Sequence, residues 1–134
     1  MKKLSSANYC IPFGFSDLFG KKDPSKDSGK AAPRNISPKE AKAIMDGGKP
    51  YTLLDVRTEE EFRGGHIKGA LLIPDYEIEA LAEKKLPDKN AVLLVYCQSG
   101  ARSARASRKL AGMGYTNVNN FGGIMNWPYD IING

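Results

Sequence analysis

Apolar residues along this chain fall in short runs, separated by polar stretches that carry glycine or proline. The strongest run is Val92-Leu93-Leu94-Val95-Tyr96. Five apolar residues in a row, without alternation, predict a central strand buried on both faces. The run stops at Cys97. A polar loop follows (Gln98, Ser99, Gly100, Ala101, Arg102), then a helical segment over 103–111 that ends at Gly112-Met113-Gly114.

The other elements read off in the same way. Ser37-Pro38-Lys39-Glu40 combines a capping box with proline at the first helical position, so a helix runs to residue 46 and stops at Gly47-Gly48. Residues 51–56 form a short strand. Thr58-Glu59-Glu60-Glu61 is a second capping box, opening a short helix that Gly64-Gly65 ends. Residues 70–73 make a third strand, stopped by Pro74. Residues 76–85 form a helix with Ile78, Leu81 and Ala82 on one side, and residues 87–90 turn into the central strand. Val118 and its neighbours make a last strand, Phe121-Gly122-Gly123 a turn, and residues 124–127 a short helical piece before Pro128. Strands alternating with helices imply a parallel sheet covered on both faces, with any site outside the carboxyl ends of the strands.

Residues 20–34 are rich in Lys, Asp, Ser, Gly and Pro and read as a flexible linker. Before them, Tyr9, Ile11, Pro12, Phe13, Phe15, Leu18 and Phe19 form an apolar cluster, read as an ordered arm packed on the domain in preference to a docking or membrane-surface segment. The division is thus 1–34, extension and linker, and 35–134, the domain. The net charge of +5 raises the question of nucleic acid. Residues 1–34 hold seven basic and three acidic residues, whereas 35–134 hold thirteen and twelve, so the excess is that of a solvated tail and no nucleic-acid partner is expected. No apolar run is long enough to span a membrane. Ser5, Ser6 and Asn8 interrupt any signal-peptide core, and the two cysteines, Cys10 and Cys97, make no disulfide framework. The expected compartment is the cytoplasm.

The thiol of Cys97 is placed to react. It ends a strand just before a helix N-terminus, where unpaired N–H groups and the helix dipole favour negative charge. Such placement lowers a cysteine pKa from about 8.5, here to an expected value below about 7.5, and the thiolate is the nucleophile. Arg102, Arg105, Arg108 and Lys109 occur with no acid among them. A cation in the first turn of a helix opposes the dipole, so Arg102 calls for an anion nearby.

Taken together, the segments resemble a rhodanese domain. The matching pieces are Leu54-Asp55-Val56-Arg57, Glu61-Phe62, Gly65-His66-Ile67-Lys68-Gly69-Ala70, Tyr96 through Ser103, and Gly122-Gly123-Ile124 with Trp127, in the family's order. The resemblance implies a five-stranded parallel sheet with helices on both faces. It also implies a cysteine that carries sulfane sulfur as a persulfide, with no metal or organic cofactor. Four residues separate Cys97 from Arg102, as in rhodanese-like sulfurtransferases, while the related phosphatases have one more and a wider loop. Gln98 stands where many family members have arginine, which removes a positive charge at the rim.

The resemblance and the residues together give the expected site. Cys97 is the catalytic nucleophile. Gln98, Ser99, Gly100, Ala101, Arg102 and Ser103 bind substrate through the loop, and Arg102, which closes it, reads as anion-facing or loop-bracing. Ser103 reads equally as a plain N-cap. Arg57 is either substrate-facing or a structural ion pair with Asp55, which has a supporting role. His66, the single histidine, reads as a packed turn residue, and Trp127 as core. The expected reaction moves sulfur from a small anionic donor such as thiosulfate to cyanide, a thiol or a protein cysteine. A sulfur-carrier or interaction module is the alternative, and a phosphatase or arsenate reductase a more distant one.

Overall fold

The computed structural model describes residues 32–134. The apolar arm, Cys10 and most of the linker lie outside the described residues. The elements are β1 (Arg34–Asn35), α1 (Pro38–Asp46), β2 (Thr52–Asp55), α2 (Glu59–Gly64), β3 (Leu71–Leu72), α3 (Ile78–Lys85), β4 (Leu93–Cys97), α4 (Ala101–Gly112) and β5 (Val118–Gly123). Short 3-10 turns cover Asp75–Glu77 and Ile124–Asn126. The strands form one five-stranded sheet in the order β1-β5-β4-β2-β3, every pair parallel.

Strand periodicity explains the layers. Side chains alternate across a sheet, so Leu93, Val95 and Cys97 of β4 point to one face and Leu94 and Tyr96 to the other. The first set joins Leu54, Ile78, Ala82, Ala106 and Leu110 in a core under α3 and α4. The second joins Ala41, Leu53, Phe121 and Trp127 in a core under α1. Both faces of β4 are sealed, as its unbroken apolar run requires.

Away from the start of α4, three segments differ from the sequence reading. Arg34–Asn35, read as the end of the linker and the start of the domain, is an edge strand paired with Asn119 and Asn120. Residues 121–123, read as a turn, are the end of β5, because Cys97 pairs with Gly123 beyond a register shift in β4. Residues 75–77 form a separate 3-10 turn ahead of α3, with Pro74 preceding them. The two capping boxes form as read: Ser37 with Glu40, and Thr58 with Glu61.

Candidate active site

β4 delivers Cys97 to the carboxyl edge of the sheet, between β2 and β5. The residue is 1 % exposed. The chain then reverses into α4 through Gly100, whose φ of 110° is open to glycine and strained for other residues. Gly100 is therefore the N-cap and α4 starts at Ala101, two residues earlier than read, which corrects the N-cap reading of Ser103. The turn aims the Gly100 N–H at Cys97 Sγ, 2.9 Å away. Burial pushes the thiol up, but the Ser103 hydroxyl and the N–H groups of Ser103, Gly100 and Ser99 outweigh it and hold Cys97 below its ordinary value. Hydrogen bonds to the charged form are the means.

Ser103 lies inside the first turn, fully buried. Its hydroxyl sits within 2.8 Å of Asn120 Oδ1, 3.0 Å of the Gly100 carbonyl and 3.3 Å of the Gly122 carbonyl. One proton facing several acceptors can swing toward a thiolate when it forms. Asn120 is held in turn: its Oδ1 accepts from the Gly122 N–H at 3.0 Å and its Nδ2 donates to Asn35 Oδ1 at 3.2 Å. Sequence reasoning missed Asn120, because two asparagines in a row do not look like a strand facing a site. Beside them the loop presses on β5 backbone to backbone. A Cβ at Gly123 would fall 2.6 Å from the Gln98 carbonyl carbon and 2.7 Å from Ser99 Cα.

The structure supplies an anion for Arg102. Its Nη1 and Nη2 donate to Glu61 Oε1 and Oε2 at 2.8 and 2.9 Å, a two-pronged pair across 41 positions of sequence. Glu61 Oε1 also accepts from the Thr58 N–H at 3.0 Å, so the capping carboxylate of α2 anchors the loop of α4. The Arg102 guanidinium holds the Glu61 carboxyl down at about 2. Of the two roles read for Arg102, anion-facing and loop-bracing, the pair to Glu61 is the geometry of a brace, with Nη1 and Nη2 both engaged by the protein.

Arg57 is buried. Its Nε and Nη2 donate to Asp55, the latter at 2.8 Å, and Nη2 also reaches the Gly65 carbonyl at 2.6 Å. The ion pair read for Arg57 forms, and the same side chain also lines the cleft beside Gln98. Only Nη1 turns toward Gln98 Oε1, at 3.4 Å. The His66 ring stacks on Phe62 with centroids 3.7 Å apart, and its Nδ1 lies 2.8 Å from the Phe62 carbonyl. Trp127 is buried against Phe121. Gln98, Ser99 and Ala101 are exposed. Gln98, the residue after the thiol, lines an open cleft of about 400 Å³ together with Arg57, Glu61, Ile124, Met125 and Ile131, and the Met125 N–H donates to the Gln98 carbonyl at 3.3 Å. Among the described residues no group of three or more His, Cys, Asp or Glu could hold a metal ion, and no helix is long and apolar enough to cross a membrane.

A parallel sheet that presents a thiol to a ring of N–H groups at its carboxyl edge defines the class of scaffold. The sequence places the chain within that class: residues 37–129 match the family described as Rhodanese-like domain, and the chain belongs to it. It is 41% identical over 71 residues to the thiosulfate sulfurtransferase PspE of Escherichia coli, covering 53% of this chain and 68% of that one. It is 42% identical over 97 residues to a probable adenylyltransferase/sulfurtransferase, MoeZ, of Mycobacterium tuberculosis, covering 69% of this chain but only 24% of that longer protein. A solved structure described as rhodanese with anions from E. coli superposes with a TM-score of 0.60 at 35% identity, over 63% of this chain and all of that one. The five-stranded parallel sheet with its helices is the rhodanese-like fold.

Proposed function

We propose that this protein is a rhodanese-type sulfurtransferase that works through a persulfide on Cys97. One observation carries the reading: the Cys97 thiol, closed in at the end of β4, receives the Gly100 N–H at 2.9 Å and is held below its ordinary pKa. In the first step the thiolate attacks the outer sulfur of thiosulfate. An S–S bond forms to Cys97, the bond to the sulfonate sulfur breaks, and sulfite leaves with the electron pair. The persulfide inherits the negative charge, and the N–H groups of the loop stabilise it as they do the thiolate. In the second step an acceptor (cyanide, a small thiol or a protein cysteine) attacks the outer sulfur, and the pair returns to Cys97 Sγ. Ping-pong kinetics follow. Gln98, Ser99, Gly100, Ala101 and Ser103 form the loop around the transferred sulfur. Arg102 braces that loop through Glu61, and Asp55 and Arg57 brace its neighbour. A reactive thiolate suits a reducing compartment, and the cytoplasm is the compartment we infer.

Intact mass after thiosulfate treatment tests the reading. One added sulfur, localised to Cys97 and discharged by an acceptor, is the expected result. Cys97→Ser should lose the adduct and all turnover while keeping its fold, since the replacement is close in size. Turnover retained in that variant rules the mechanism out. A persulfide that forms but never discharges would favour a carrier over an enzyme.

A further inference from the structure

The cleft beside Gln98 has an unusual charge account. Its two charged side chains are both occupied inside the protein, Arg57 by Asp55 and Glu61 by Arg102. With Gln98 Oε1 facing Arg57 Nη1, what remains for a ligand is the Gln98 Nε2 and the apolar side chains of Ile124, Met125 and Ile131. Met125 is 64% exposed and Ile131 50%. Apolar side chains this open, lining one cleft with the residue next to Cys97, are a recognition surface more than a core.

This apolar lining is built deliberately. Ile131 lies beyond residue 129, where the family match ends. An antiparallel bridge holds it: the His66 N–H donates to the Ile132 carbonyl and the Ile132 N–H to the His66 carbonyl, each at 2.7 Å. The Gly134 N–H adds a bond to the Arg63 carbonyl at 3.1 Å. Ile131 Cδ1 then packs over Gly65, 3.3 Å from where a Cβ would sit. The tail thus acts as a strap that carries one side chain into the lining of the cleft.

We infer that this strap selects the acceptor: a small thiol whose substituent is uncharged and apolar, about the size of one ring, lies against Ile131 and Met125 while its sulfur meets the Cys97 persulfide. The inference rests on the sulfur-transfer reading. The atoms balance without an oxidant: the acceptor sulfur bonds to the outer sulfur, the Cys97 Sγ–S bond breaks, and Cys97 leaves as thiolate. The loop N–H groups serve the reacting sulfur, and the strap serves only what hangs from it, so donor and acceptor demands separate in space.

The test uses the full chain and two readouts. The first is Cys97 alkylation by two reagents with the same reacting head, N-benzyl iodoacetamide and N-(2-carboxyethyl) iodoacetamide. Their rate ratio, divided by the ratio for a free small thiol, should be tenfold or more in favour of benzyl. Ile131→Lys, at an exposed site, should lower it at least fivefold, and Ile131→Glu should leave the carboxyethyl reagent disfavoured. The second readout is discharge of the thiosulfate-loaded enzyme by benzyl mercaptan or 3-mercaptopropionate, with the same ordering. Equal corrected ratios in the parent, or equal losses for both reagents in the lysine variant, overturn the inference. Alkylation selectivity without any sulfur adduct supports the cleft's selectivity and overturns the sulfur-transfer reading instead. Faster discharge to a cysteine on a folded carrier protein than to benzyl mercaptan overturns the small-molecule assignment.

Discussion

The two capping boxes share one local grammar and have different consequences. At α1, Glu40 Oε1 accepts from the Ser37 N–H at 2.8 Å, and the Ser37 hydroxyl accepts from the Glu40 N–H at 3.0 Å; the box closes on itself at an exposed helix start. At α2 the same reciprocal bonds form between Thr58 and Glu61, but Glu61 also receives both prongs of Arg102. One box begins a helix. The other begins a helix and fixes the first turn of α4, which follows directly on the loop whose N–H groups face Cys97. A local motif is inert or functional according to what the fold brings to its spare oxygen.

Removing Glu61 should break this contrast most strongly. Glu61→Ala loses the box and the pair together, leaving Arg102 without its brace. Second-order sulfur transfer should fall on the order of ten- to a hundredfold, equivalent to one or two charge-assisted hydrogen bonds. Glu61→Gln sharpens the result, since it keeps an oxygen for Thr58 while losing the charge and one of the two acceptors that face Arg102. Activity near that of the alanine variant assigns the effect to the pair, whereas activity near the parent assigns it to the cap.

Arg102→Lys should have a smaller effect. Lysine keeps the charge but reaches Glu61 as a point, not a fork. A loss of about threefold to tenfold in thiosulfate turnover is expected, the cost of roughly one such bond. Turnover equal to the parent at low and moderate salt would remove the geometric role.

Acid provides a milder perturbation. Glu61 titrates near 2 in the folded protein, below its ordinary 4.5. Its contribution to stability is therefore complete above about pH 4.5 and is lost as pH falls toward about 2. The difference in melting temperature between the parent and Glu61→Gln should shrink over that window. A constant difference would mean that charge plays no part. The smallest effect belongs to Glu40→Ala, with stability lower by about 0.5–1.5 kcal/mol and sulfur transfer unchanged. Any comparable fall in turnover would erase the distinction between the boxes.

Much of this was legible in the sequence because it is local. The β4 run, both capping boxes and the strand-to-helix placement of Cys97 each fit within a dozen residues. What was not legible depends on partners far along the chain. Arg34–Asn35 is a strand only because β5 lies beside it, and two polar residues have no period to read. Asn119 and Asn120 are polar yet buried, their amides satisfied by the Leu93 carbonyl, Asn35 and Ser103. Arg102 showed its need for an anion but not which one, since Glu61 had already been explained by Thr58. The start of α4 was misplaced because Gly100, not a hydroxyl side chain, caps it.

The contact between Gly123 and the loop bears on how this site could change over evolutionary time. With no room for a β-carbon between β5 and residues 98–99, the curvature of the loop is imposed by main chain on main chain. Gln98, Ser99 and Ala101 project outward from that frame. A lineage could therefore exchange those outward residues freely, and with them the chemistry it admits, while position 123 stays closed to every residue but glycine.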